Sequence, residues 1–179
     1  PLVDYLITGW GDVSFYQLVK KLLVENSPWE SKVIKGIQPP LEEIKLPYYL
    51  YNEEDIKYRT VYLEASRGCP FKCEFCLSSL DKTAWRFPLE PFLEAMDDLY
   101  ERGLRQFKFV DRTFNLKKDF TLAILNFFLD KLAKKPEEAL FLHFELVPDY
   151  LSDELKEKIL EFPDGTLQFE IGIQTLNPT

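Results

Sequence analysis

The residues of this chain best suited to chemistry are three thiols set close together. Cys69, Cys73 and Cys76 stand in the run Arg67-Gly68-Cys69-Pro70-Phe71-Lys72-Cys73-Glu74-Phe75-Cys76, spaced C-x3-C-x2-C, and the other positions of the 179-residue chain hold no cysteine. An odd number of thiols cannot all pair as disulfides. Gathered in one short loop, they suit a cuboidal iron–sulfur cluster, whose corners need ligands that lie near one another. Three thiolates would leave one iron without a protein ligand, and an open metal position is where substrate chemistry takes place. Two other arrangements compete. A zinc site could add His143, the only histidine, but Cys3His sites usually show paired C-x2-C spacings. His143 also sits in a strand of alternating character, where a packed histidine is the plainer reading. A ferredoxin-like carrier would need a fourth cysteine.

The elements that must position this loop follow from periodicity. Val3 to Thr8 reads as a strand, followed by a turn at Gly9 to Gly11. A helix over about Val13 to Val24 carries Phe15, Leu18, Leu22 and Leu23 on its apolar face. From Glu25 to Lys57 prolines punctuate the pattern, which predicts a linker. From Tyr58 the order becomes regular. Strands are predicted at Thr60 to Ser66, Gln106 to Asp111, Leu140 to Val147 and Thr166 to Gln174. Helices are predicted from Pro91 to Gly103, from about Leu116 to Lys134, and from a Ser152 cap to about Phe162. Strands alternating with helices imply a parallel sheet, and functional groups then gather at the strands' C-terminal ends. The cysteine loop leaves the first of these strands at that end. Each strand also carries an acid: Glu64, Asp111, Glu145 and Glu170. Acids are depleted from strands and costly to bury unpaired, so these are candidate ligand contacts. At least one is expected to face solvent.

The segment Glu64 to Cys76, EASRGCPFKCEFC, resembles the signature of the radical S-adenosylmethionine (SAM) superfamily, C-x3-C-x-aromatic-C. The resemblance implies a [4Fe-4S] cluster on Cys69, Cys73 and Cys76, with the free iron chelating the amino and carboxylate groups of SAM. It implies reductive cleavage of SAM to a 5′-deoxyadenosyl radical that acts on a small-molecule substrate, with flavodoxin or ferredoxin as reductant. It places Phe75 near the adenine. Phe144 to Pro148 (FELVP) and Glu170 to Thr175 (EIGIQT) look like strand motifs of the oxygen-independent coproporphyrinogen dehydrogenase type. That likeness puts Glu145 on the SAM ribose and Gln174 beside its methionyl part. Val110 to Asn115 (VDRTFN) stands where that family has a glycine-rich motif, which assigns Asp111 and Thr113 to the SAM amino group. Arg67 would steady the cluster loop.

Val3 to Leu23 resembles the last strand and helix of the cobalamin-binding domain found ahead of such enzymes, among them anaerobic magnesium-protoporphyrin IX monomethyl ester cyclases. The cobalamin-ligating D-x-H-x-x-G motif is not in this chain, so cobalamin is expected only in the full-length protein. The expected fold is α/β, a partial (β/α) TIM-like barrel of about four βα units. Residues 1–25 would be a remnant of the cobalamin-binding-like domain, 26–57 a linker and 58–179 the first half of the barrel. The expected activity is that of a radical SAM enzyme acting in tetrapyrrole cyclisation or methyl transfer, in a fragment inactive alone on its natural substrate. The alternatives are a non-catalytic zinc- or iron–sulfur-binding module and a radical SAM tRNA methylthiotransferase.

Bulk properties narrow the partners. A net charge of −8 argues against phosphate-backbone binding, which relies on Lys and Arg, and so against nucleic acid. No apolar run reaches the length of a membrane span, and PLVDYLITGWGDV lacks the form of a signal peptide. The expected location is the cytoplasm, with no membrane partner.

Overall fold

The computed structural model describes residues 2–173, and the chain divides into two compact units between Lys45 and Leu46. In the first unit, β1 (Leu6–Thr8) and β2 (Val33–Lys35) pair in parallel, Leu6 opposite Val33, with α1 (Asp12–Leu23) between them in sequence. Ser14 Oγ accepts from the Ile37 N–H at 2.8 Å and ties α1 to the residues after β2. Of the apolar face expected on α1, Leu18 is buried, whereas Phe15 and Leu23 are exposed. The sheet of this unit has only two short strands among the described residues. The stretch 26–57 contains β2, two 3-10 turns and the start of α2 (Glu53–Tyr58), and the division between the units falls within it. Asn52 starts α2 with a capping box: its side chain accepts from Asp55 N–H and the Asp55 side chain accepts from Asn52 N–H.

The second unit is a mixed α/β layer built on four parallel strands. β3 (Val61–Leu63), β6 (Gln106–Phe109), β7 (Phe141–Leu146) and β8 (Leu167–Ile171) lie side by side in that order. Between β3 and β6 the chain also forms β4 (Ser66–Gly68) and β5 (Ala84–Arg86), an antiparallel ribbon outside the main sheet. The sequence predicts one strand from Thr60 to Ser66. The structure breaks it at Glu64 and Ala65, where the chain changes from one sheet to the other.

Three helices follow from apolar spacing. In α3 (Leu89–Glu101), Phe92, Met96, Leu99 and Tyr100 are buried; in α4 (Lys118–Lys134), Phe120, Thr121, Ile124, Leu125 and Phe128 are. Leu155 is the buried anchor of α5 (Asp153–Leu160), whose first turn is capped by Ser152 Oγ accepting from Leu155 N–H. After α3, Gly103 takes φ +101, the Gly103 N–H reaches Tyr100 O and the Leu104 N–H reaches Leu99 O. This is the paired bonding of a Schellman stop, which asks for glycine at the left-handed position.

Alternation along the strands sorts the two sheet faces. Val61, Leu63, Phe107, Phe109, Leu142, Phe144 and Leu146 belong to the buried core with the helices. Phe109 lies 4.6 Å from Phe144, and Phe114 stacks on Phe144 at 4.1 Å, so the core is aromatic through its centre. The other face carries Tyr62, Lys108, His143 and Gln168 in one row, partners across three strand pairs. The next row places Glu145 opposite Glu170. An apolar face and a polar face on the same parallel sheet mean that the helices pack against one side.

Candidate functional site

The cysteine loop grows out of a point where three side chains or backbones pin three consecutive residues. Tyr48, on the 3-10 turn Pro47–Leu50, is buried; its hydroxyl donates to Glu64 O at 3.1 Å and accepts from Glu64 N–H at 2.8 Å. Burial pushes its pKa up, against the bond to Glu64. Asp111, just past β6, is 1% exposed. Its Oδ2 accepts from Ala65 N–H at 3.0 Å, and its Oδ1 accepts from Ser66 N–H at 2.5 Å and from the Ser66 hydroxyl at 2.6 Å. Burial pushes the Asp111 carboxyl up to about 7, although all three donors favour the charged form. On the far side, Phe87 N–H donates to Ala65 O at 3.0 Å.

From that root the β4–β5 ribbon runs three residue pairs, ending with Gly68 opposite Ala84. Gly68 has φ +95, and a Cβ there would stand 2.5 Å from Thr83 O and 3.0 Å from the Trp85 ring. Glycine immediately before Cys69 is therefore required by a close backbone crossing. Beyond it, Lys72 Nζ donates to Ser79 O at 2.7 Å and to Asp81 O, drawing the two arms of the loop together. Cys76 N–H donates to Cys73 O at 3.1 Å in a turn that carries both residues. The Phe71 ring packs edge-on against Tyr150 at 5.9 Å, next to the end of β7.

Cys69 and Cys76 are half-buried and Cys73 is exposed. Burial raises the Cys69 thiol pKa, a bond from the Phe71 backbone opposes the rise, and Cys73 and Cys76 add to it by repulsion. A metal held between the thiols would reverse that repulsion and favour thiolates. Among the described residues, no three His, Cys, Asp or Glu side chains stand in metal-holding geometry. Ligation thus requires the loop to draw Cys69, Cys73 and Cys76 together. The donor set itself suits iron–sulfur chemistry: three thiols, anchored at one end by the β4–β5 ribbon.

The remaining expected positions divide clearly. Phe75 is 82% exposed, on the outside of the loop. Glu145 sits on the polar face near the end of β7, with the Arg112 guanidinium 3.5 Å away. Thr113 is buried and its hydroxyl has no hydrogen-bond partner among the described residues; it lines a small cleft with Ser66, Ala84 and Arg86. Asp111 faces inward, and an amino group would have to displace its three bonds to reach it. Gln174 lies outside the described residues. Arg67 grips Glu64 with two nitrogens, at 2.7 to 3.1 Å, and lies over the Phe87 ring, so it braces the root of the loop. His143 is buried, with Nε2 3.1 Å from Glu170 Oε1, while the Glu170 side chain is 58% exposed. Glu170 is thus the acid that faces solvent.

Sequence reasoning missed Tyr48, Ser66 and the ribbon. Tyr48 lies in the proline-broken stretch, where its neighbours Tyr49 and Leu50 are exposed and no periodicity marks the buried member. The ribbon strands are too short to announce themselves by alternation.

The chain matches no protein-family model. It is 32% identical over 143 residues to an uncharacterized methyltransferase of Pyrococcus horikoshii, a match covering 66% of this chain and 30% of that protein. Its fold is similar to that of the radical S-adenosylmethionine methyltransferase TsrM of Kitasatospora setae, at TM-score 0.56 and 16% identity. That holds for the structure with tryptophan substrate and a SAM analogue bound and for the one with cobalamin and a [4Fe-4S] cluster bound. These likenesses cover 70% of this chain and 24% and 23% of the TsrM chains. The chain thus spans under a third of the length of the relatives it matches.

Proposed function

We propose that this chain is the cluster-bearing part of a radical SAM enzyme that transfers a methyl group. The observation that carries the reading is the placement of the only three cysteines: they follow the C-terminal end of the first of four parallel strands by way of the β4–β5 ribbon, on a fold similar to TsrM. Cys69, Cys73 and Cys76 would hold a [4Fe-4S] cluster through three irons. When bound, that cluster supplies one electron and an open iron position at which SAM is activated.

The chain's own residues have distinct parts in this reading. Phe75, exposed on the loop, offers an apolar surface for the adenine ring, and exclusion of water there favours stacking. Glu145 projects from the polar face near the end of β7, where its carboxylate accepts hydrogen bonds from ribose hydroxyls. Gln174, three residues beyond β8, would meet the methionyl part. Thr113 would bring a hydroxyl that has no partner among the described residues. Arg67 and Glu64 brace the root of the loop.

Methyl transfer is favoured over tetrapyrrole cyclisation because both proteins it resembles are called methyltransferases. Cobalamin would belong to the full-length protein, as it does to TsrM. A zinc module using His143 is disfavoured, since that imidazole is buried in the sheet and bound to Glu170. The test is anaerobic reconstitution of the full protein with iron and sulfide. An oxygen-sensitive brown protein whose EPR signal changes on adding SAM supports the reading. A colourless protein holding one tight zinc refutes it.

A further inference from the structure

We propose that Asp111 is the positioning residue of the cysteine loop: it fixes the root from which Cys69 is presented, so that the three thiols reach one cluster in one arrangement. The proposal rests on the cluster reading above, which gives the loop something to hold.

The β3 ladder ends at Leu63 opposite Phe109, and the β4 ladder begins at Ser66 opposite Arg86. Between them the chain changes sheets, so the N–H groups of Ala65 and Ser66 lack a main-sheet partner at a buried place. An unpaired buried N–H is costly. Asp111, some 45 residues along the chain, accepts from both. The Ser66 hydroxyl adds a third donor to the same carboxylate. Three donors converging on two oxygens call for a group that only accepts, as the Asp111 carboxylate does once pH exceeds its raised pKa of about 7. An amide at this place would turn an NH2 toward an N–H or O–H.

Burying a carboxylate this completely opposes folding, and nearby charge adds to the opposition. Glu64, on the β3 side, repels it and is itself neutralised by Arg67; Tyr48, on its turn, contributes a neutral hydroxyl. A group kept against such a cost has a specific structural task. Here that task lies next to the proposed chemistry, because only Arg67 and Gly68 separate Ser66 from Cys69. Both are paired in the ribbon, opposite Trp85 and Ala84, so a displacement of Ser66 passes directly to Cys69.

General stabilisation is the alternative to positioning, and Asn115 provides the comparison. It is equally buried and ties another strand end with two bonds, Nδ2 to Val147 O at 2.8 Å and Val147 N–H to Oδ1 at 2.9 Å. The experiment uses the full protein reconstituted with iron and sulfide, reading iron release to a chelator and the EPR line shape of the dithionite-reduced protein with SAM. At pH 8, where Asp111 is ionised, a charge-assisted hydrogen bond contributes enough for Ser66→Ala to release iron about tenfold faster. Asp111→Asn should release it faster still and broaden the EPR signal. Ser66→Thr, which keeps the hydroxyl, should restore slow release. Asn115→Ala should lower the melting temperature at least as much as Ser66→Ala, yet leave release and line shape within twofold of the parent. Equal acceleration by Asn115→Ala at matched melting temperature, or parental kinetics and spectrum in Ser66→Ala, would overturn the proposal; the Ser66 pair decides it if Asp111→Asn does not fold. Failure of the parent protein to take up iron would overturn the cluster reading instead, and is recognisable without any variant.

Discussion

Replacing Gly68 with alanine tests whether the approach to Cys69 is as tight as its backbone implies. At φ +95 an L-residue pays strain on the order of 1–3 kcal/mol. Gly103, at φ +101, shares that strain, but a Cβ built there meets nothing within 4 Å. Gly103→Ala therefore reports strain alone. At Gly68 the new methyl would stand 2.5 Å from Thr83 O, against roughly 3.3 Å for a close carbon–oxygen contact. The opposing arm must give way by most of an ångström. The ribbon has only three residue pairs, so giving way loosens ladder bonds worth about 0.5–1.5 kcal/mol each. Opening of the ribbon also caps the loss, because the main sheet does not depend on it. Gly68→Ala should thus cost about 1–2 kcal/mol more than Gly103→Ala in urea unfolding, and should alone impair iron uptake. Equal costs in the two variants, or full iron loading in Gly68→Ala, would refute the reasoning.

Three further perturbations follow from the same geometry. Tyr48→Phe leaves the Glu64 N–H without its acceptor, and unfolding should show a loss of about 1–3 kcal/mol. Phe128→Ala removes a fully buried ring that packs on Phe107 at 4.9 Å; a loss of about 3–5 kcal/mol is expected in the same assay. Asp111 makes stability depend on pH. Its folded pKa, about 7, lies above the ordinary carboxylate range, so the folded state holds a proton that the unfolded state releases. Its contribution is complete below about pH 4 and falls away as pH rises through about 7. Unfolding free energies measured from pH 4 to 8 should decline more steeply in the parent than in Asp111→Asn; parallel profiles would contradict this origin.

Much of the scaffold was legible because it rests on local pattern. Phe92, Met96 and Leu99 recur at helical spacing and are buried in α3; Gly103 stops that helix as glycine should; Ser152 caps α5. The four parallel strands were legible from their apolar alternation, and so was the origin of the cysteine loop at a strand end. What escaped detection depends on distant partners. Nothing at Glu64 or Ala65 marks a change of sheet; the break exists because Asp111 and Tyr48 supply substitute bonds from 46 and 16 residues away. The carboxylate at Asp111 was legible as unusual, since acids are rare at strand ends, but its direction was not. A side chain just past a strand can face ligand or backbone, and only the fold shows that Ala65 and Ser66 claim it. The apolar face of α1 was overread for a related reason. Periodicity reports that a helix has a preferred side, whereas the width of that side depends on what packs against it.

The central claim is that three thiols of one loop hold an iron–sulfur cluster that engages SAM. The most direct measurement is iron and sulfide content, with dithionite-dependent SAM cleavage, in the full protein and in its Cys69→Ala, Cys73→Ala and Cys76→Ala variants under strict anaerobiosis. The account predicts about four irons per chain in the parent, and loss of both cluster and cleavage in every variant. Unchanged iron and unchanged cleavage in any one of the three would contradict it.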